Sequence, residues 1–193
     1  MANSHAGRIE GYAIISEDGM LATAERVMPP SLQFEADQRF FEHGLDALDV
    51  VVHGRHSQER QPRSPLRHRL ILTRTIPAVA PHKSNPKALL WNPAGATFEQ
   101  ALAALGTPGA NVGVIGGPDV FGLFLDRYNT FHLTRAPNVR LPDGRPVFPE
   151  VPARTPEHVL ASHGLAPDPR QILDPANGLT LMSWRRAAKS APE

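Results

Sequence analysis

Residues 112–121, Val-Gly-Val-Ile-Gly-Gly-Pro-Asp-Val-Phe, are the most informative stretch of the chain. Val112 to Ile115 reads as a short buried strand. Gly116 and Gly117 follow, and Pro118 opens a helix that runs to about Leu125, since proline is favourable in a first turn. Paired glycines let backbone approach a ligand, and the free N–H groups of a helix start suit a phosphate. The segment is neither G-x-G-x-x-G nor a Walker loop, and a tight strand-to-helix turn without a ligand satisfies it equally well.

Two further strand ends carry the same chemistry. Leu48 to His53 (LDVVVH) is a nearly continuous apolar run, as expected of a strand covered on both faces. It ends in Gly54-Arg55-His56-Ser57. Arg69 to Thr73 (RLILT) is a second buried strand, ending at Arg74. Three phosphate-compatible strand tips carry more weight together than singly, because open α/β sheets bind ligands along the carboxyl edge of their strands.

The remaining elements complete an α/β layered domain. Ile9 to Ile15 is a first strand, closed by the turn signal Glu17-Asp18-Gly19, and residues 20–30 read as a connection. Lys87 to Trp91, Tyr128 to Thr134 and Gly178 to Arg185 are further strands. Thr97 caps a helix over Phe98 to Leu105, which Gly106 stops. Half of the 20 prolines lie from Pro137 onward, so that half is expected to be poor in regular structure apart from its last strand. The reading is one domain over residues 1–193, with residues 1–7 disordered, and a mainly parallel sheet with an antiparallel C-terminal edge.

Met28-Pro29-Pro30 stops any strand and leaves Ser31 as N-cap of a helix over Ser31 to Leu45. Glu35 and Arg39, four apart, can pair on a solvated face. Asp37 has Phe34, Phe40 and Phe41 three and four positions away. A carboxylate beside that aromatic face is partly desolvated, which raises its pKa. A rim position open to water is the alternative.

Composition bounds the function. The chain has 193 residues, 20 Lys+Arg against 19 Asp+Glu, a net charge of +1 and no cysteine. Thiolate zinc sites, disulfides and cysteine nucleophiles are excluded. Near-zero net charge gives no global drive toward nucleic acid or anionic membrane. No apolar run approaches the roughly 18–20 residues of a membrane span, and Met1 to Gly7 is not a signal sequence. The expectation is a cytoplasmic protein, monomer or homodimer. Only three of the 20 basic residues are lysines, a bias of base composition. His53 and His56 lack an acidic third ligand at useful spacing, so no metal is expected. The basic run from Arg60 to Arg69 has no interleaved aromatics and reads as a solvated loop.

The order and spacing of YAIISEDGMLA, MPPSLQFEADQRFF, HGRHS, PLRHRLILTR, VIGGPDVF, FHLTR and VFPE resemble the dihydrofolate reductase family in a divergent form, over about residues 8–150. The opening strand and LDVVVHG also resemble the pyrimidine reductases of riboflavin synthesis. The resemblance implies a three-layer fold with helices on both faces of the sheet, NADPH as cofactor and reduction of a C=N bond in a heterocycle. VFPE tilts the resemblance toward the folate branch, and so toward pterins and one-carbon metabolism.

By that resemblance Asp37, four before Phe41, matches the active-site acid, with Thr134 as its partner. A gap-free count from Met28-Pro29 instead puts Glu35 there, and helix geometry favours Asp37. Ile14 and Ile115 match backbone contacts to the substrate, and Phe41 matches its aromatic wall. Arg67 matches the clamp on a glutamate tail, although it stands among Arg63 and Arg69. Gly54, Arg55, His56 and Ser57, with Gly116, Gly117, Pro118, Asp119, Val120 and Phe121, match the segments that hold the cofactor diphosphate. Thr73 and Arg74 match the pair around the 2′-phosphate. Pro30 departs from the Trp or Leu usual beside the substrate.

Overall fold

The computed structural model describes residues 7–57 and 63–187. Parallel strands in the order β8(Thr130–Arg135), β1(Ile9–Ile15), β7(Val112–Val114), β3(Val50–Gly54), β4(His68–Leu72) and β6(Ala88–Trp91) form the centre of one sheet. At one edge β5(Val79–Pro81) runs antiparallel to β6. At the other, β12(Leu179–Arg186) runs antiparallel to β8, and its outer side pairs with β10(Leu165–Pro167) and β11(Gln171–Asp174). A separate two-stranded ribbon joins β2(Met20–Ala22) to β9(Arg145–Pro146).

Strand alternation assigns the two faces. On β1, Ile9, Ala13 and Ile15 join the large core cluster, whereas Tyr12 and Ile14 point to the opposite side. On β3, Val50 and Val52 go with the first group and Val51 with the second. The large cluster is covered by α2(Phe98–Ala104), α3(Pro118–Leu123) and α4(Pro156–Ser162), while α1(Glu35–Asp46) covers the other face through Phe40, Phe41 and Leu45. Helices therefore lie on both faces, as the resemblance implied. Thr97 caps α2 in a reciprocal capping box with Gln100.

Several boundaries differ from expectation. The helix expected from Ser31 begins only at Glu35. Pro30 to Leu32 forms a 3-10 turn, Leu32 is buried against Ile14, Ala136 and Leu179, and Phe34 is an extended N-cap without a side-chain cap. Burying Leu32 draws the chain off the helical path, so Ser31 caps nothing and Asp37 falls in the first helical turn. The proline-rich half is also more regular than expected. Pro156 sits in the first turn of α4, where its missing N–H costs nothing, and the Thr155 hydroxyl accepts from the His158 N–H at 3.2 Å. Pro167 ends β10 on the sheet's outer edge, where proline is tolerated. The connection at residues 20–30 contributes β2.

The basic run is only partly a solvated loop where it is described: Arg63 is exposed, but its later arginines are buried. Arg67 and Arg69 are 7% and 6% exposed, paired with Asp46 and with Ser64 and His53 respectively. Arg60 lies outside the described residues, as do residues 1–6 of the segment expected to be disordered. Gly7 packs against Ala110 so closely that a Cβ would overlap the Ala110 carbonyl. Among the described residues no helix is long and apolar enough to cross a membrane.

Gly44 explains how α1 lies so near the sheet. A Cβ there would stand 2.6 Å from the ring and hydroxyl of Tyr12. Overpacking of this kind costs about 1–3 kcal/mol, against about 1 kcal/mol gained in helix propensity. Gly44→Ala is expected to lower the melting temperature and to weaken ligand binding beside Tyr12. An unchanged melting temperature would mean that Tyr12 is not fixed by this contact.

Candidate active site

All three glycine- or arginine-bearing tips follow strands of the parallel set, so they leave the sheet at the same edge. Gly54 ends β3, Thr73 and Arg74 follow β4, and Gly116 and Gly117 follow β7. The Gly54 N–H donates to the Gly116 carbonyl at 2.8 Å, which ties two of the tips together. Gly116 has a φ of +101°, and a Cβ there would meet the Phe121 ring at 2.8 Å, so only glycine fits.

The tips border a cavity of about 670 Å³. Gly54 to Ser57, Thr73, Arg74 and Gly117 to Val120 line it. Gly116 lies buried behind this wall. Arg74 is largely exposed, 3.6 Å from Asp119. A second cavity, of about 710 Å³, is lined by Tyr12, Ile14, Asp37, Phe41, Ile115, Phe121 and Thr134 among others. Ala22, Arg26, His56 and Ser57 line both, so the two cavities meet along one seam.

Asp37 is half-buried, and burial pushes its carboxyl from the ordinary 3.8 up to about 6; the Thr134 hydroxyl beside it offsets part of the rise. The first turn of a helix by itself favours a charged carboxylate, so desolvation outweighs the helix field here. Glu35 is the opposite case. Its side chain is 78% exposed and pairs with Arg39 at 2.5 Å, away from both cavities.

The raised value has a stability consequence. The folded state holds this proton more tightly than the unfolded chain, so the contribution is full below about 4 and is lost as pH rises through about 6. The rise from 3.8 to about 6 is worth at most ~3 kcal/mol, reduced by the solvent that still reaches a half-buried group. Asp37→Asn is expected to raise the melting temperature at pH 7 and leave it nearly unchanged at pH 4. Destabilisation at pH 7 would contradict the desolvated carboxylate.

One candidate is not brought to the site. Arg67 precedes β4, at the opposite end of the strand from Arg74. Its guanidinium is 2.5 Å from Asp46 at the end of α1, and it lines neither cavity. Pro30 is exposed in the 3-10 turn and also lines neither; Val27 and Met28 do line the second cavity.

Sequence reasoning missed other residues. Tyr12 shares the face of Ile14 two positions on, which strand periodicity could have revealed. Its hydroxyl donates to Glu10 at 2.6 Å, and its ring stacks on His132 at 4.7 Å. His132 lies 3.6 Å from Glu10 and its Nδ1 is 2.9 Å from the Ser183 hydroxyl. The neighbouring His132 imidazole does most to hold the Glu10 carboxyl down at about 2, with the Tyr12 hydroxyl adding to it against the burial of the group. Burial, then Glu10, push the Tyr12 hydroxyl well up, so it stays neutral. Arg26 and Arg145 also line the first cavity; nothing local in the sequence marks either.

No protein-family profile and no curated protein sequence matches the chain. Solved structures do. A protein of riboflavin biosynthesis from Shewanella sp. PV-4 superposes with a TM-score of 0.64 at 19% identity, covering 94% of this chain and 99% of that one. Dihydrofolate reductase from Enterococcus faecalis, in complex with NADP(H) and RAB-propyl, gives 0.64 at 16% identity, over 95% and 98% of the two chains. The diaminohydroxyphosphoribosylaminopyrimidine deaminase/5-amino-6-(5-phosphoribosylamino)uracil reductase of Thermotoga maritima gives 0.66 at 14% identity, over 94% of this chain and 57% of that one. The chain has the dihydrofolate reductase-like fold.

Proposed function

We propose that this dihydrofolate reductase-like chain is an NADPH-dependent reductase of a C=N bond in a pterin, with 7,8-dihydrofolate as the representative substrate. The observation that carries the reading is the seam: a cavity lined by glycine and arginine strand tips adjoins one that holds a lone acid in an aromatic wall.

The first cavity fits the cofactor. A Cβ on Gly54 would project to within 3.5 Å of Val120, and one on Gly117 to within 3.5 Å of the Ser57 hydroxyl, so side chains there would take up space beside the backbone. Arg74 and Thr73 would hold the 2′-phosphate, for which a guanidinium is suited by its paired donors. Gly54 to Ser57 and Gly117 to Val120 would hold the diphosphate. When bound, NADPH supplies the hydride.

The residues of the second cavity do the rest. Tyr12, Ile14, Phe41 and Ile115 exclude water and orient a flat ring against the seam, where proximity provides most of the rate. Asp37 binds the amino-pyrimidine edge and keeps a proton available to the imine nitrogen. Thr134 fixes the orientation of its carboxyl. Because Asp37 acts as an acid, turnover is expected to fall as pH rises through about 6.

A second reading has its own support. Arg67, which the resemblance to folate enzymes makes a clamp for a glutamate tail, is engaged by Asp46. That favours a ribosylamino-pyrimidine or another heterocycle without such a tail. The two readings are separated by following NADPH oxidation with dihydrofolate, other pterins and a ribosylamino-pyrimidine. Dihydrofolate turnover supports the first; oxidation with the pyrimidine alone selects the second. Binding of NADPH without oxidation across the panel would leave a nucleotide-binding module and overturn both.

A further inference from the structure

Arg26 and Arg145 stand out as cations that the cavity holds and the fold does not use. Both line the first cavity, and Arg26 lines the second as well. They belong to one structural unit: Arg145 pairs with Ala22 in the β2–β9 ribbon, and the turn that follows β2 closes with the Thr23 N–H donating to the Val27 carbonyl at 2.9 Å. Among the described residues neither guanidinium has a hydrogen-bond or ion-pair partner. Arg26 is also held at a φ of +67°, a conformation that is costly for any residue but glycine and that glycine or asparagine would adopt more easily. An arginine kept there despite the backbone points to a use for its side chain.

The charge balance of the cavity says what that use is. Four arginines line it (Arg26, Arg55, Arg74 and Arg145) against one acid, Asp119, which already faces Arg74. Unneutralised guanidinium groups around one concavity repel each other until an anion enters. The strand order β1-β7-β3-β4 then separates two cationic ends. Arg74 follows β4, the ribbon lies by β1, and the glycine tips of β7 and β3 stand between them.

We propose that Arg26 and Arg145 clamp the diphosphate bridge of the bound dinucleotide from the ribbon side, opposite the glycine tips, while Arg74 serves the 2′-phosphate alone. The inference rests on the reading of the first cavity as the NADPH site. It assigns the two arginines to a phosphate group common to NADPH, NADH and ADP-ribose, and not to the feature that distinguishes NADPH.

The test is calorimetric binding to the full-length protein, with Arg26→Gly, Arg145→Ala and Arg74→Ala compared with wild type. A charge-assisted contact to phosphate removed in each ribbon variant weakens binding by about tenfold or more. The expected pattern is an equal loss for NADPH, NADH and ADP-ribose in Arg26→Gly and Arg145→Ala, with 2′-AMP unaffected. Arg26→Gly relieves the left-handed backbone, so its melting temperature should not fall, and a loss of affinity there cannot be put down to misfolding. Unchanged dinucleotide affinity in both ribbon variants overturns the clamp and leaves the proposed function standing. A raised KM for the heterocycle with unchanged dinucleotide affinity also overturns it, and gives the arginines to the substrate. A wild-type protein that binds no NADPH overturns the clamp together with the reading beneath it.

Discussion

Asp37→Asn is expected to lower turnover at least tenfold, within the roughly 10²–10⁴-fold range of general acid assistance, while NADPH affinity stays close to wild type. The carboxyl is half-buried, lines the second cavity and titrates at about 6. Asparagine keeps the shape and loses the ionisable proton. The wild-type pH profile should therefore fall through about 6, and the variant's profile should be flat there. Glu35→Gln is the control, because Glu35 is exposed and paired with Arg39. Loss of turnover in Glu35→Gln with none in Asp37→Asn would reverse the assignment of the acid.

Arg74→Ala is expected to weaken NADPH by about tenfold or more while leaving NADH nearly unchanged, since a charged hydrogen bond to phosphate is worth about 1.5–3 kcal/mol. Arg74 is exposed, and its ion-pair partner, Asp119, is 3.6 Å away at the same surface. A phosphate would compete with that weak surface pair at little cost. An equal effect on both cofactors, read from KM for each, would remove Arg74 from the 2′-phosphate site.

The sequence was legible where local chemistry and tertiary structure agree. Gly116 needs a positive φ and a close approach to the Phe121 ring, and both needs are written in the residue type. The choice of Asp37 over Glu35 followed from which residues lie three and four positions away, even though the helix starts later than Ser31. Arg67 stands away from both cavities, because spacing to the strand says nothing of the Asp46 carboxylate, 21 positions away, that engages it. Residues 151–174 are more regular than their prolines suggest, because proline does not only break structure: Pro156 starts a helix and Pro167 ends an edge strand. Arg26 and Arg145 were invisible for another reason: a two-stranded ribbon between segments more than 120 positions apart brings them to one cavity.

The central claim is that the two cavities hold a dinucleotide and a heterocycle in contact across the seam of Ala22, Arg26, His56 and Ser57. A crystal structure of the ternary complex with NADP⁺ and a pterin analogue tests it most directly. The account predicts adenosine 2′-phosphate at Arg74, the nicotinamide ring at the seam and the pterin's amino edge on Asp37. A nicotinamide ring directed away from the second cavity, or a pterin bound out of reach of Asp37, would contradict it.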